Sequence, residues 1–156
     1  DIFVGLSKAG ALTPDMLFRM ARDPLVLALS NPIPEIMPEL AHSTRDDAIV
    51  CTGRSDYPNQ VNNLLCFPFL FRGALDCRAV TVTDGMKLAA ARAIADLAAD
   101  ALRRDYLIPS PFDTRLLSAV APSVAAAATA DGVALKPLDD GGAYASKLVS
   151  MSEQLG

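Results

Sequence analysis

LVLALSNP (residues 25–32) decides how this chain is read. Five apolar residues, Leu25 to Leu29, are too few for a stable helix and suit a parallel strand buried among its neighbours. The run stops abruptly at Ser30-Asn31-Pro32. Similar runs flank it: Ile2 to Leu6 upstream, bounded by Gly5 and Ser7, and Ala48 to Thr52 downstream, followed by Gly53-Arg54-Ser55-Asp56. Between the first two, Thr13 can cap a helix that Pro14 starts and Asp15 complements, with Leu17, Met20 and Ala21 on its apolar face. Between the second and third, Pro34 to His42 reads as a short helix. Strand, helix, strand, helix, strand is a doubly wound unit with right-handed crossovers. The sequence therefore predicts an α/β fold, a partial Rossmann-like doubly wound parallel sheet followed by C-terminal helices, in which the first strand is covered on both faces.

Beyond the strands the pattern is helical. Asn62 to Leu75 reads as one helix that Pro68 kinks or breaks. Met86, Ala90, Ile94, Leu97, Ala101 and Leu102 keep a 3.6-residue period behind a Thr83 or Asp84 cap. A further helix runs from about Thr114 to Ala130, with Asp113 as cap, Gly132 as stop and Pro122 as a kink or break. After Lys136 the chain is polar and rich in glycine, which predicts a linker or frayed end. The expected division is 1–136 as one compact unit and 137–156 as its tail.

A net charge of -4, with Lys and Arg scattered singly, gives no basic stripe and argues against nucleic acid as a partner. The longest uncharged apolar run, Leu116 to Ala130, is interrupted by Pro122 and falls short of the ~20 residues that span a bilayer, so no membrane is expected. Cys51, Cys66 and Cys77 are odd in number and lack CxxC spacing, which predicts reduced thiols in a cytoplasmic protein. Asp1 leads straight into the apolar run at Ile2, as expected of a fragment.

If the strands are parallel, the polar residues that follow each of them emerge on one edge of the sheet, where open α/β sheets bind ligands. Gly5 and Gly53 allow close backbone approach there, and Pro32 steers Asn31 away from helical geometry. Asn59, Gln60, Asn62 and Asn63 add amides, which can donate to a carboxylate or accept from a carboxamide while staying neutral at every pH. Taken singly these are turn residues, and Asn59 or Asn62 can be a helix cap; Asn63 is harder to explain so. There is no GxGxxG, GxxxxGK[ST] or HExxH, and no cluster with metal-ligand spacing. His42 is expected on a surface helix without a catalytic role, Asp46-Asp47 and Asp139-Asp140 as solvated turn charges, and Ser55 lacks a nearby histidine base.

DIFVGLSKAGALTPDML, LALSNPIPEIMPE, CTGRSDYPNQVNN and FRGALD, in this order and spacing, closely resemble the C-terminal part of the cofactor-binding domain of bacterial malic enzymes, over roughly Asp1 to Lys136. The resemblance implies oxidative decarboxylation of malate to pyruvate and CO2, with NAD or NADP as hydride acceptor and a divalent Mg or Mn ion on the substrate oxygens. It implies that Asn31 contacts both substrate and cofactor, that Asn63 contacts the malate carboxylate, and that Gly5, Ser7 and Ser30 line the nicotinamide side. The family's tyrosine acid, lysine base, carboxylate metal ligands and glycine phosphate loop lie upstream, so no catalytic residue and no metal ligand is assigned in this chain. By itself it is expected to be inactive, and the full-length protein to be a homo-oligomer. Phe69 stands where the family commonly has glycine, and the tail matches only loosely, resembling the end of the malic part in large forms that carry a phosphotransacetylase-like domain.

Three other readings stay open. A non-catalytic nucleotide-binding or regulatory module could use the same half-Rossmann scaffold; a related amino-acid-type dehydrogenase could share the fold, although the SNP and NQVNN pairing argues against it; and a remnant could have no function of its own. The choice between NAD and NADP is not legible, because the ribose-contacting residue follows a strand that lies outside the sequence.

Overall fold

Strands form where the apolar runs predict them. In the computed structural model, which describes residues 1–153, β1 (Ile2–Gly5), β2 (Leu25–Ala28) and β3 (Ile49–Thr52) build one parallel sheet in the order β1-β2-β3. The register is unbroken, with Gly5 beside Ala28 and Ala28 beside Thr52, so all three strands end level on one edge. Two helices connect them, α1 (Pro14–Phe18) and α2 (Pro38–Thr44). Thr13 caps α1 by accepting from the Met16 N–H at 3.3 Å, as its sequence predicts.

The core of this half is Val26 and Ala28 of β2 packed with Leu12, Leu17, Ile36, Ala41, Ala48 and Val50. Burying a Val or Leu side chain of this kind contributes about 1.5–3 kcal/mol before chain entropy is counted. The central strand buries one face, Val26 and Ala28, and half-buries the other, Leu25 and Leu27, whereas β1 leaves a face open: Ile2 is 68% and Val4 59% exposed. β1 is one of the two edge strands, and of its side chains only Phe3 is partly packed on the core, so no helix among the described residues covers the face that carries Ile2 and Val4. The second helix starts at Pro38 rather than Pro34, because Pro34, Glu35 and Ile36 lie buried in an irregular loop that carries Ile36 into the core.

Two compact units share the chain, where one was expected. The first is Asp1–Asn62 with Leu102–Ile108, and the second is Asn63–Ala101 with the chain from Pro109 onward. The second is helical: a 3-10 turn at Asn63–Leu65, then α3 (Phe67–Asp76), α4 (Asp84–Ala99), α5 (Arg115–Ala130) and α6 (Gly141–Glu153). Pro68 sits in the first turn of α3, where its missing N–H costs nothing, so it starts this helix instead of kinking it. Thr83 caps α4, accepting from the Met86 N–H at 3.1 Å, and its hydroxyl also bonds Asp131 beyond the end of α5.

Pro122 lies inside an uninterrupted α5. A proline there costs ~3 kcal/mol, and burial of Leu116, Val120, Ala121, Val124, Ala125 and Ala128 on the same helix offsets it. Gly73 of α3 lets the two helices approach closely, since a Cβ at that position would lie 2.4 Å from the Ala121 carbonyl oxygen. The expected linker after Lys136 contains α6. Asp140 starts it by accepting from the N–H groups of Gly142 (2.8 Å) and Ala143 (3.0 Å), and Leu148 is buried. The expectation for 137–156 is otherwise untouched for its last three residues, which lie outside the described ones.

Candidate functional site

Because the strands end level, the residues after them share the carboxyl edge of the sheet, and one buried side chain joins two of those ends. Glu35 is fully buried, yet no Lys or Arg pairs with it among the described residues. Its carboxylate accepts from the backbone N–H of Ser7, after β1, at 2.8 Å and from that of Ser30, after β2, at 3.1 Å. Burial alone would raise its pKa, but these backbone donors outweigh it and hold the group below its ordinary 4.5. Gly5 makes the room: a Cβ there would meet the Glu35 carboxyl carbon at 2.4 Å.

The loop after β2 is fixed at several points. Ser30 is buried, its hydroxyl donates to the Ile33 carbonyl at 2.6 Å, and the Asn31-Pro32 peptide is cis. Asn31 itself is exposed, with its amide lying across Gly53 at the end of β3, where a Cβ would come within 2.8 Å of Asn31 Nδ2. Gly5, Ser7, Ser30, Asn31 and Gly53 are thus gathered on one edge. An exposed neutral amide beside backbone-rich strand ends can bind a carboxamide or a carboxylate.

The rest of the polar loop is engaged elsewhere. Arg54 makes a bidentate pair with Asp56 (2.9 and 2.6 Å) and stacks over Tyr57, whose hydroxyl donates to Glu39 at 2.5 Å. Asn59 is buried in the left-handed region (φ 55°) and caps no helix. Its Nδ2 donates to the Arg104 carbonyl (2.8 Å) and its Oδ1 accepts from the Leu107 N–H (2.7 Å), tying the loop to residues 102–108. Gln60 pairs with Thr52 as an extension of the sheet.

Asn63 belongs to the second unit. It is exposed, its carbonyl accepts from the Cys66 N–H at 3.1 Å, and it borders an apolar hollow of about 280 Å³ formed by α3 residues with Val82 and Lys87. Phe67 and Phe71 meet edge to face in its wall, 4.8 Å between ring centres.

Other candidates are structural. Cys51, Cys66 and Cys77 are free thiols, and burial pushes Cys51 up to about 11, which makes it a poor nucleophile. Asp47, expected as a solvated charge, holds Arg45 in a bidentate pair at 2.7 Å and accepts from the Asp23 N–H, while Arg45 also donates to the Met20 carbonyl. His42 is exposed on α2. Among the described residues, no group of three or more His, Cys, Asp or Glu stands close enough to hold a metal ion. None of their helices is long and apolar enough to cross a membrane.

Nothing in the sequence marks Glu35 as part of this edge. Its one signal is a lone acid in the otherwise apolar stretch Pro34-Glu35-Ile36-Met37, seven positions after β2 ends.

A parallel β-α-β-α-β sheet with polar strand ends defines part of a nucleotide-binding α/β domain of Rossmann type. The family model described as "Malic enzyme, NAD binding domain" matches residues 1–129, and the chain belongs to that family. It is 56% identical to an NAD-dependent malic enzyme of Rhizobium meliloti (strain 1021), over 95% of this chain and 21% of that protein. It is 53% identical to an NADP-dependent malic enzyme of Escherichia coli (strain K12), over 95% of this chain and 22% of that one. The crystal structure of malic enzyme from Pyrococcus horikoshii Ot3 superposes with a TM-score of 0.88 at 40% identity, covering 99% of this chain and 36% of its own. The chain thus spans about a fifth of the length of these two curated relatives.

Proposed function

We propose that this chain serves as the C-terminal portion, residues 1–136, of the NAD(P)-binding domain of a cytoplasmic, homo-oligomeric oxidoreductase that converts malate to pyruvate and CO2, with 137–156 as the segment that follows. The observation that carries the reading is the single edge on which Gly5, Ser7, Ser30 and Asn31 stand together in a chain of this family.

Asn31 has the right chemistry for both partners. Its neutral amide donates to a substrate oxygen and accepts from the nicotinamide carboxamide without perturbing nearby acids and bases. Gly5, Ser7 and Ser30 offer backbone to the nicotinamide side, where the lack of side-chain bulk at Gly5 leaves the edge low. When bound, NAD or NADP supplies the hydride acceptor. Asn63 donates to a malate carboxylate. The ligands of the Mg or Mn ion would come from outside this chain, as the resemblance implies, and the ion would polarise the substrate oxygens.

Two amides orient a substrate but move no protons, so the chain alone is inactive. Purified residues 1–156 assayed with malate, Mn and either dinucleotide should give no turnover above background, while the whole enzyme carrying them should. Turnover by the isolated chain would overturn the assignment.

A further inference from the structure

We propose that Glu35 is a positioning residue for this edge: its carboxylate, clamped between the backbone N–H groups of Ser7 and Ser30, sets the spacing of the loops after β1 and β2 and so holds the Asn31 amide in its working orientation across Gly53. The inference rests on the reading of Asn31 given above.

The clamp needs a carboxylate. Two N–H groups converge on it, from Ser7 to Oε1 at 2.8 Å and from Ser30 to Oε2 at 3.1 Å, and only an ionised acid presents an acceptor to each. A carboxamide would satisfy one donor and turn its own N–H2 against the other. A fully buried charge with no cation beside it is costly to keep, and an apolar side chain would fill the same volume at lower cost. Packing therefore does not explain its presence, whereas directional control of two strand ends does.

The linkage to Asn31 is short. Ser30 immediately precedes Asn31, and its hydroxyl closes the loop onto Ile33 at 2.6 Å, so the peptide entering Asn31 is fixed from two sides. Glycine occupies the two places where a methyl would disturb the arrangement, under the Glu35 carboxyl at Gly5 and under the Asn31 amide at Gly53. The backbone of Glu35 takes part as well, accepting from the Leu12 N–H at 3.2 Å, which anchors the clamp to the core.

The test is a double-mutant cycle in the whole malic enzyme that carries this chain, with initial rates measured against malate and against the dinucleotide. Glu35→Gln should lower kcat/KM about tenfold to a hundredfold, as a misplacement of about 1 Å does, and should raise KM for both ligands. Partial unfolding would lower apparent kcat and leave KM unchanged, so that outcome overturns the proposal. Because Glu35 acts through Asn31, the variant carrying both Asn31→Ala and Glu35→Gln should be no worse than Asn31→Ala alone; additive losses would overturn it too. Glu35→Asp, which keeps the charge but withdraws it from the N–H groups of Ser7 and Ser30, should shift KM in the same direction and carries the test if the Gln variant is insoluble. If Asn31→Ala has wild-type kinetics, the site reading itself fails. If it is impaired while Glu35→Gln is not, only the positioning role fails.

Discussion

In the unit built on the sheet, Ser30, Glu35, Thr52 and Asn59 are buried polar side chains; in the helical unit the buried side chains described are apolar, Met86, Leu116, Val120, Val124 and Leu148 among them. The first unit is built on four-residue strands and the second on helices of 10 to 16 residues, and the contrast comes from what each has to hold. A loop at the end of a strand has no repeating ladder of its own, and directional hydrogen bonds to Glu35 and Asn59 fix its course. Helices satisfy their own backbones, and α3, α4, α5 and α6 need only complementary surfaces, which small residues such as Gly73 and Ala121 provide.

The contrast can be broken most forcefully in the helical unit. Leu116 is wholly buried in α5, and Leu116→Ala should cost ~2–5 kcal/mol, read as a lower denaturation midpoint, with KM for malate in the whole enzyme unchanged. A large KM change would mean that this packing, too, shapes the site. A smaller effect of the opposite kind is expected at Asn63, which is exposed and contributes little to packing. Asn63→Ala should weaken malate use by ~1–3 kcal/mol in kcat/KM and leave the denaturation midpoint in place; unchanged kinetics would remove it from the site.

The smallest effect is confined to acid. The folded-state pKa of Glu35 lies below its ordinary 4.5, so its contribution to stability is complete above 4.5 and is lost as pH falls through the folded value. Stability measured from neutral pH downward should therefore decline over that window in the wild type, and Glu35→Gln should flatten the decline. An identical decline in both would show that the clamp is not coupled to folding.

Much of the first unit was legible because its signals are local. Each strand is an apolar run cut off by Gly, Ser or Asn, and the shared edge follows from parallel order alone. Glu35 was not legible in the same way, since its partners are backbone groups, one of them 28 positions away at Ser7. Asn59 has the local signature of a turn or cap residue, and its partners at Arg104 and Leu107 lie more than forty positions on. Pro122 misled in the other direction: a strong local signal for a break was overridden by the burial of both flanks of α5. The glycines at the start of α6 suggested a linker, while Asp140 and Leu148 carried the helix.

The Asn59 tie also decides how the chain can be cut. Residues 102–108 return to the first unit after an excursion, Asn63 to Ala101, through helices of the second, so no single break in the polypeptide separates one unit from the other. A truncation that stops before Leu102 would strip the Asn59 amide of its partners at Arg104 and Leu107, leaving Nδ2 with only the Val50 carbonyl at 3.3 Å and Oδ1 without its donor, at ~1–3 kcal/mol for the lost acceptor bond. Whoever seeks the smallest piece of this protein that keeps its strand ends in order must carry the returning strap along.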